Sequence, residues 1–227
     1  MATCFSVSFA FQSDLLARQR DEMVRLQLAE RGIRDSRVLD AMRTVPRHEF
    51  VPESFRVDAY GDHPLPIGEG QTISQPYIVA AMLERLALRD RDRVLEIGTG
   101  SGYVTALLAL LCAAVYSVER HAQLAGSAEN TLRRLGYRNV RIKVGDGSQG
   151  WVEYAPFDAI LVSAATAEVP PALFAQLRDG GRMIVPVGPS SSQELQLIGK
   201  LGGRAEVQIL EGCRFVPLVE GTAGSGS

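Results

Sequence analysis

The stretch RVLEIGTGSGY, residues 93–103, decides how this chain folds. RVLEI is a short apolar run of the kind that forms a buried strand. Gly98, Gly100 and Gly102 then turn the chain into a helix expected from Val104 to Leu111. Glycine is needed where the backbone takes an unusual φ and where a ligand approaches without meeting a Cβ. The turn sits at the carboxyl end of its strand, where open α/β sheets bind their ligands.

Working outward, the same alternation repeats. AVYSV (114–118), VRIKV (140–144), FDAILVS (157–163) and GRMIVPV (181–187) read as further strands. A helix is expected from about Gln123 to Leu135, and a shorter one after Pro170 and Pro171. Strands alternating with helices specify a parallel sheet covered on both faces. ELQLIGKL and AEVQIL flank Gly202 and Gly203, which signals an antiparallel hairpin at the sheet edge. Upstream, Leu15 to Glu30 reads as a helix. Asp35 caps a second helix carrying Val38, Leu39, Met42 and Val45, which Pro46 stops. YGDHPLPIGEGQTISQP (60–76) reads as a loop, and Pro76 opens a helix with Ile78, Val79, Met82, Leu83 and Leu86 on one face. The expected fold class is α/β: a Rossmann-like, doubly wound, mostly parallel sheet with helices on both faces. An N-terminal helical extension and a C-terminal antiparallel hairpin complete it. The divisions are 1–90, a helical and lid region; 91–220, the ligand-binding core with its hairpin; and 221–227, a flexible tail.

Composition narrows the function. Hydrophobic residues are 46% of the 227, enough for a sizeable core, while the net charge of −2 provides no general basic surface for a nucleic-acid partner. No apolar run approaches the roughly 18 residues of a membrane span. Cys4, Cys112 and Cys213 are an odd, widely spaced set with no CxxC pair, so neither a metal site nor a disulfide framework is signalled. Reduced thiols in a cytoplasmic protein, acting as a monomer, are the expectation.

Two cofactors compete for the glycine loop. A dinucleotide favours G-x-G-x-x-G, with a helix N-terminus facing its pyrophosphate. Here the third glycine comes one residue early, at Gly102, and Tyr103 fills the dinucleotide position. Glu96 stands just before the first glycine, where a carboxylate repels pyrophosphate but suits the ammonium and sulfonium of S-adenosylmethionine. Glu119 ends the second strand, placed to accept both ribose hydroxyls. Asp146 follows the third strand, placed to take the adenine amino group, with Gly145 and Gly147 allowing close approach. The expected donor site is Glu96, Gly98, Thr99, Gly100, Ser101, Gly102, Glu119, Arg120, Asp146 and Gly147. The bland alternatives are a tight connection for the glycines and a solvated strand end or helix cap for Glu119 and Asp146.

VLEIGTGSGY resembles the first motif of class I S-adenosylmethionine-dependent methyltransferases. A wider set of segments is similar to one member family, the protein-L-isoaspartate O-methyltransferases. These are TVPRHEFVPES (44–54), AYGDHPLPIGEGQTISQPYIVAAMLERL (59–86), VGDGSQGW (144–151), VPPALFAQLRDGGRMIVPVG (169–188) and CRFVPLV (213–219). The resemblance covers roughly residues 20 to 220, and PLPIGxGQTISQP is its specific part. It implies methyl esterification of the free α-carboxyl of L-isoaspartyl residues in damaged proteins and peptides, with S-adenosyl-L-homocysteine as product and repair through a succinimide. The family's conserved serine falls at Ser74, and its loop varies at the place of Glu69. The first dozen residues have no matching counterpart.

This chemistry needs few residues. The acceptor carboxylate is already anionic, with a reference pKa of about 4, so alignment and exclusion of water suffice. His48, His63 and His121 have no partner at a recognisable spacing and read as surface or structural groups. Pro76 as first helical residue makes Gln75 the cap. Ser74 O–H and the N–H groups at that helix start are expected to hold the acceptor carboxylate, the alternative being that Ser74 only shapes the turn. Thr72 and Ile73 belong to the same acceptor side. Val216, by resemblance, offers main-chain hydrogen bonds to the peptide, the alternative being an edge strand stopped by Pro217. The loop 61–73 is expected to close over the cofactor. The rival functions are a methyltransferase acting on a small molecule or RNA, and a binding protein that has lost catalysis. SAATAEVPP after the fourth strand disfavours base methylation on nitrogen.

Overall fold

The structure, a computed structural model, describes residues 14–221. The opening segment with Cys4, and residues 222–227 of the expected tail, lie outside the described residues. Helix α1 spans residues 14–29, its last turns, Met23–Ala29, being π-helical. Asp35 caps α2 (Ser36–Thr44) by accepting from the N–H groups of Arg37 and Val38, as Asp at this position does. The helix stops before Pro46.

The stretch read as a loop is partly ordered as a hairpin: β1 (Leu65–Gly68) pairs antiparallel with β2 (Gln71–Ile73). The alternation there is too short to register as a strand pattern, and Pro66 obscures it. Helix α3 (Pro76–Leu86) follows, with proline in its first turn.

The main sheet contains β3 (Arg93–Ile97), β4 (Ala114–Glu119), β5 (Val140–Val144), β6 (Phe157–Val162), β7 (Leu177–Val187), β8 (Gln193–Leu201) and β9 (Arg204–Cys213), in the order β5-β4-β3-β6-β7-β8-β9. Strands β3 to β7 pair in parallel; β8 and β9 add antiparallel across the Gly202–Gly203 turn. Helices α4 (Tyr103–Leu111), α5 (Ala122–Arg134) and α6 (Pro171–Gln176) make connections between parallel strands. Strand β7 begins at Leu177, earlier than GRMIVPV marks, with a register shift against β6 between Phe157 and Ala159.

Alternation along the strands builds two cores. Val94, Ala159, Leu161 and Ile184 pack into one cluster with α2, α3 and α4. Leu95, Ile97, Ile160, Val162 and Met183 pack into the other with Tyr116, Phe157 and Leu173. Successive side chains of a strand point to opposite faces, so each residue's face is set by its parity. The first cluster takes in residues from Met23 to Phe215. From β3 the chain first builds β4 and β5 to one side, then returns to build β6 on the other. That reversal opens a crevice at the carboxyl ends of β3, β4 and β6.

Candidate active site

The crevice holds a cavity floored by the loop after β3. Gly98, Thr99, Gly100 and Ser101 line it, with Val118, Glu119 and Arg120 from the end of β4 and Gly147 from the turn after β5. Glu119 is the carboxylate that faces it. The side chain is buried, and each oxygen already has one protein donor: Gly100 N–H to Oε2 at 2.9 Å and His121 N–H to Oε1 at 3.0 Å. A carboxylate has about four lone-pair sites, so Glu119 keeps acceptor capacity for two neighbouring hydroxyls. Gly147 lies against Ile97: a Cβ there would stand 2.5 Å from Ile97 Cγ2, so a larger residue would push into the cavity wall.

Three expected donor-site residues stand elsewhere. Glu96 shares the parity of Val94, so it points under α4 rather than into the crevice. It is fully buried, and its Oε2 accepts from Thr105 Oγ1 and Ser117 Oγ, both at 2.6 Å. Ser117 in turn meets Thr99 Oγ1 at 2.6 Å, so Glu96 acts on the loop through two hydroxyls. Burial pushes its carboxyl up to about 7 against the pull of those hydrogen bonds, and the nearby Glu119 charge adds to the rise. Asp146 is occupied as a cap: Oδ1 accepts from Ser148 N–H at 2.9 Å and Ser148 Oγ at 2.8 Å, and Oδ2 from Gly221 N–H at 2.8 Å. Desolvation raises its pKa, but the hydrogen bonds from Gly221 and Ser148 outweigh that and hold it below the ordinary value. Gly102, at φ 90, serves packing: a Cβ would meet Ala128 Cβ at 3.2 Å and Leu132 Cδ1 at 3.3 Å on α5. Of the three strand-tip acids, Glu119 alone lines the cavity.

On the other side, Gln71, Thr72, Ile73 and Ser74 bring the end of the hairpin to the same cavity, and Val216 and Leu218 bring the last segment. A second, larger groove adjoins, lined among others by Arg31, Tyr77, Glu211 and Arg214. Gln75 occupies the position before α3 without capping it. Asp62 does so instead, accepting from Tyr77 N–H at 3.1 Å and from Gln75 Nε2 at 2.8 Å, and pairing with Arg31. Proline carries no N–H, so Asp62 takes the first donor that the helix start offers. Val216 carbonyl accepts from Ala165 N–H at 2.8 Å, and Leu218 N–H donates to Ala165 carbonyl at 2.7 Å. The segment is tied to the loop after β6 by an isolated bridge rather than as an edge strand.

A family model for protein-L-isoaspartate(D-aspartate) O-methyltransferase matches residues 18–223. The chain belongs to that family. A protein-L-isoaspartate O-methyltransferase of Koribacter versatilis is 55% identical over 203 residues, covering 89% of this chain and 91% of the relative. One of Methanoculleus marisnigri is 54% identical over 208 residues, covering 92% and 94%. A Plasmodium falciparum crystal structure carrying the same family name, in complex with S-adenosyl-L-homocysteine, superposes with a TM-score of 0.78. It is 29% identical and covers 88% of this chain and 98% of that one. The family depends on S-adenosylmethionine. The residues present fit that group: Glu119 is a buried acceptor for a diol, beside a loop whose glycines expose backbone and between the apolar walls of Ile97 and Val118.

Among the cavity residues that sequence reasoning did not assign to the site are three with polar side chains. Ser163, at the tip of β6, lines both cavities; the strand-end rule that pointed to Glu119 also points there. His121, read as structural, lines the donor cavity with Nδ1 3.7 Å from Glu69 Oε2. Tyr103, read only as a glycine-pattern mismatch, lines it too. His48, by contrast, is structural: its Nδ1 meets Tyr60 Oη at 2.7 Å, and burial lowers its pKa. Among the described residues no helix is long and apolar enough to cross a membrane.

Proposed function

We propose that this chain methylates the free α-carboxyl of L-isoaspartyl residues in proteins and peptides, using S-adenosylmethionine. The observation that carries the proposal is the meeting of two spaces. The cavity of Glu119 and the glycine loop shares Thr72, Ser74, Ser163 and Val216 with a groove roomy enough for a peptide. The cofactor, when bound, supplies an electrophilic methyl group on a sulfonium. Glu119 would accept the ribose hydroxyls, Thr99, Gly100 and Ser101 would hold the methionine portion, and Arg120 and Gly147 would hold the adenine side. Glu96 acts behind the loop through the hydroxyls of Thr105 and Ser117, and Asp146 holds backbone behind Gly147. Ser74 donates its hydroxyl to the acceptor carboxylate, Thr72 and Ile73 form the wall beside it, and Val216 offers its main-chain N–H to the peptide.

The acceptor oxygen that would receive the methyl group is already anionic. No proton moves, so no general base is required, and the protein contributes alignment and dryness. The hairpin β1–β2 serves as the cover. Its Ile67 Cδ1 lies 3.2 Å from where a Cβ on Gly100 would be. Both cavities are built from one chain, so a monomer suffices. The free thiols of Cys112 and Cys213 accord with a reducing, cytoplasmic setting.

The test is incubation with methyl-labelled S-adenosylmethionine and paired peptides, one isoaspartyl and one aspartyl. Base-labile label on the isoaspartyl peptide alone is expected. Label on neither, with donor binding intact, overturns the assignment. Ser74→Ala should lower kcat about tenfold, the scale of one hydrogen bond to a charged group, and leave donor affinity within about twofold. Equal loss of donor affinity would put Ser74 in the donor pocket instead.

A further inference from the structure

The two cavities meet at a small ring of residues, and one of them comes from the sheet. Thr72 is in β2 of the hairpin and Ser74 just follows it, and Val216 belongs to the final segment; Ser163 follows β6 directly. Its N–H donates to Ile97 carbonyl at 2.8 Å, which pins it to the end of β3 where the glycine loop begins. Gly98 is so near that a Cβ there would stand 3.5 Å from Ser163 Cβ. Ser163 is therefore held by the same strand ends that hold the donor loop. It is half-buried, and its hydroxyl is not engaged by another protein group among the described residues.

We propose that Ser163 is a second catalytic hydroxyl, donating a hydrogen bond to the acceptor carboxylate from the sheet side while Ser74 holds it from the hairpin side. The proposal rests on the methyl-ester assignment above. Its logic is geometric. Methyl transfer requires one lone pair of the attacking oxygen to lie along the line to the methyl carbon. A carboxylate held by one hydroxyl still turns about that contact. Two donors on separate elements fix its plane and leave the attacking lone pair free, since a carboxylate has about four acceptor sites. Ser74 lies on the segment that covers the site, so its position depends on closure. Ser163 is pinned to the end of β3 by its N–H and is in place before closure, registering the carboxylate directly against the donor loop.

The wild-type enzyme must first label the isoaspartyl peptide; failure at that step counts against the methyl-ester assignment, not against Ser163. Given that activity, Ser163→Ala should lower kcat about tenfold, the scale of a lost hydrogen bond to an anion. Donor affinity, read as the Kd for S-adenosyl-L-homocysteine, should stay within about twofold. A shape-matched pair guards against a folding effect: Ser163→Thr keeps the hydroxyl and should retain activity, whereas Ser163→Val should match the alanine variant. In a cycle with Ser74→Ala the two losses should not add, because both hydroxyls orient one group. Unchanged kcat in Ser163→Ala, equal activity of the threonine and valine variants, or a loss confined to donor affinity would each overturn the proposal.

Discussion

At the scale of single residues, Glu119 and Glu96 show how two carboxylates at neighbouring strand ends take different work. Glu119 is an acceptor for backbone on one side and faces the cavity on the other. Glu119→Gln turns one acceptor into a donor. That leaves Gly100 or His121 N–H facing an amide N–H and removes a charge-assisted contact, so donor affinity should fall about tenfold or more, measured by calorimetry with S-adenosyl-L-homocysteine. Glu96 instead stays inside the protein. Its pKa is raised from 4.5 to about 7, so over that window the folded protein binds more protons than the unfolded chain. The stability from this group is complete below pH 4.5 and is lost as pH rises towards 7. The shift is worth on the order of 3 kcal/mol. Glu96→Gln does not titrate there. Relative to that variant, the wild type should lose stability between pH 5 and pH 8, read from urea midpoints at the two pH values; parallel midpoints would refute it.

At the scale of elements, the hairpin β1–β2 borders the cavity with Gln71, Thr72 and Ile73, and the proposed function makes it the cover. Its tip residue Glu69 adopts φ 52, a left-handed conformation that costs a non-glycine residue of order 1 kcal/mol. Its carboxylate lies near His121, on the segment just after Glu119. Glu69→Gln keeps the shape and removes the charge. At a pH below about 6, where an ordinary histidine is protonated, donor dissociation should accelerate about two- to fivefold at low salt, the scale of a partly exposed ion pair, and the difference should fade at high ionic strength. Stopped-flow measurement of donor release checks this, while the KM for peptide should not move. The glycines and prolines of this segment were legible as a loop. The pairing was not, because a four-residue strand against a three-residue strand carries too little alternation to distinguish it from a turn. Asp62 was equally hidden: it caps α3 from a position remote in sequence, whereas cap signals are read from adjacent residues.

At the scale of the whole molecule, one hydrophobic cluster joins the N-terminal helices to the sheet. Leu107 of α4 is fully buried in it, and Trp151 packs against the cluster on the opposite face of the sheet. Leu107→Ala should cost about 3 kcal/mol, in the usual range for a buried leucine. Because the sheet links both clusters, unfolding followed by Trp151 fluorescence and by far-ultraviolet circular dichroism should shift together as one transition. A fluorescence transition that stayed at the wild-type midpoint would mean that the two layers unfold independently.

What the sequence determined by itself was whatever depends on neighbours along the chain. The alternation of strand and helix, the turn at Gly98 to Gly102, the cap at Asp35 and the hairpin at Gly202–Gly203 all rest on local periods and local backbone preference. Glu119 belongs here as well, since the tip of a strand beside the switch point follows from the order of elements. The tertiary structure alone decided the face on which each side chain ends. Glu96 and Asp146 sit at strand tips like Glu119, but pleat parity turns the first under α4, and a tight turn with a distant N–H occupies the second. The strand-end rule points to Ser163 at the tip of β6, but that it lines the same cavity as the glycine loop was decided by the pairing of β6 beside β3.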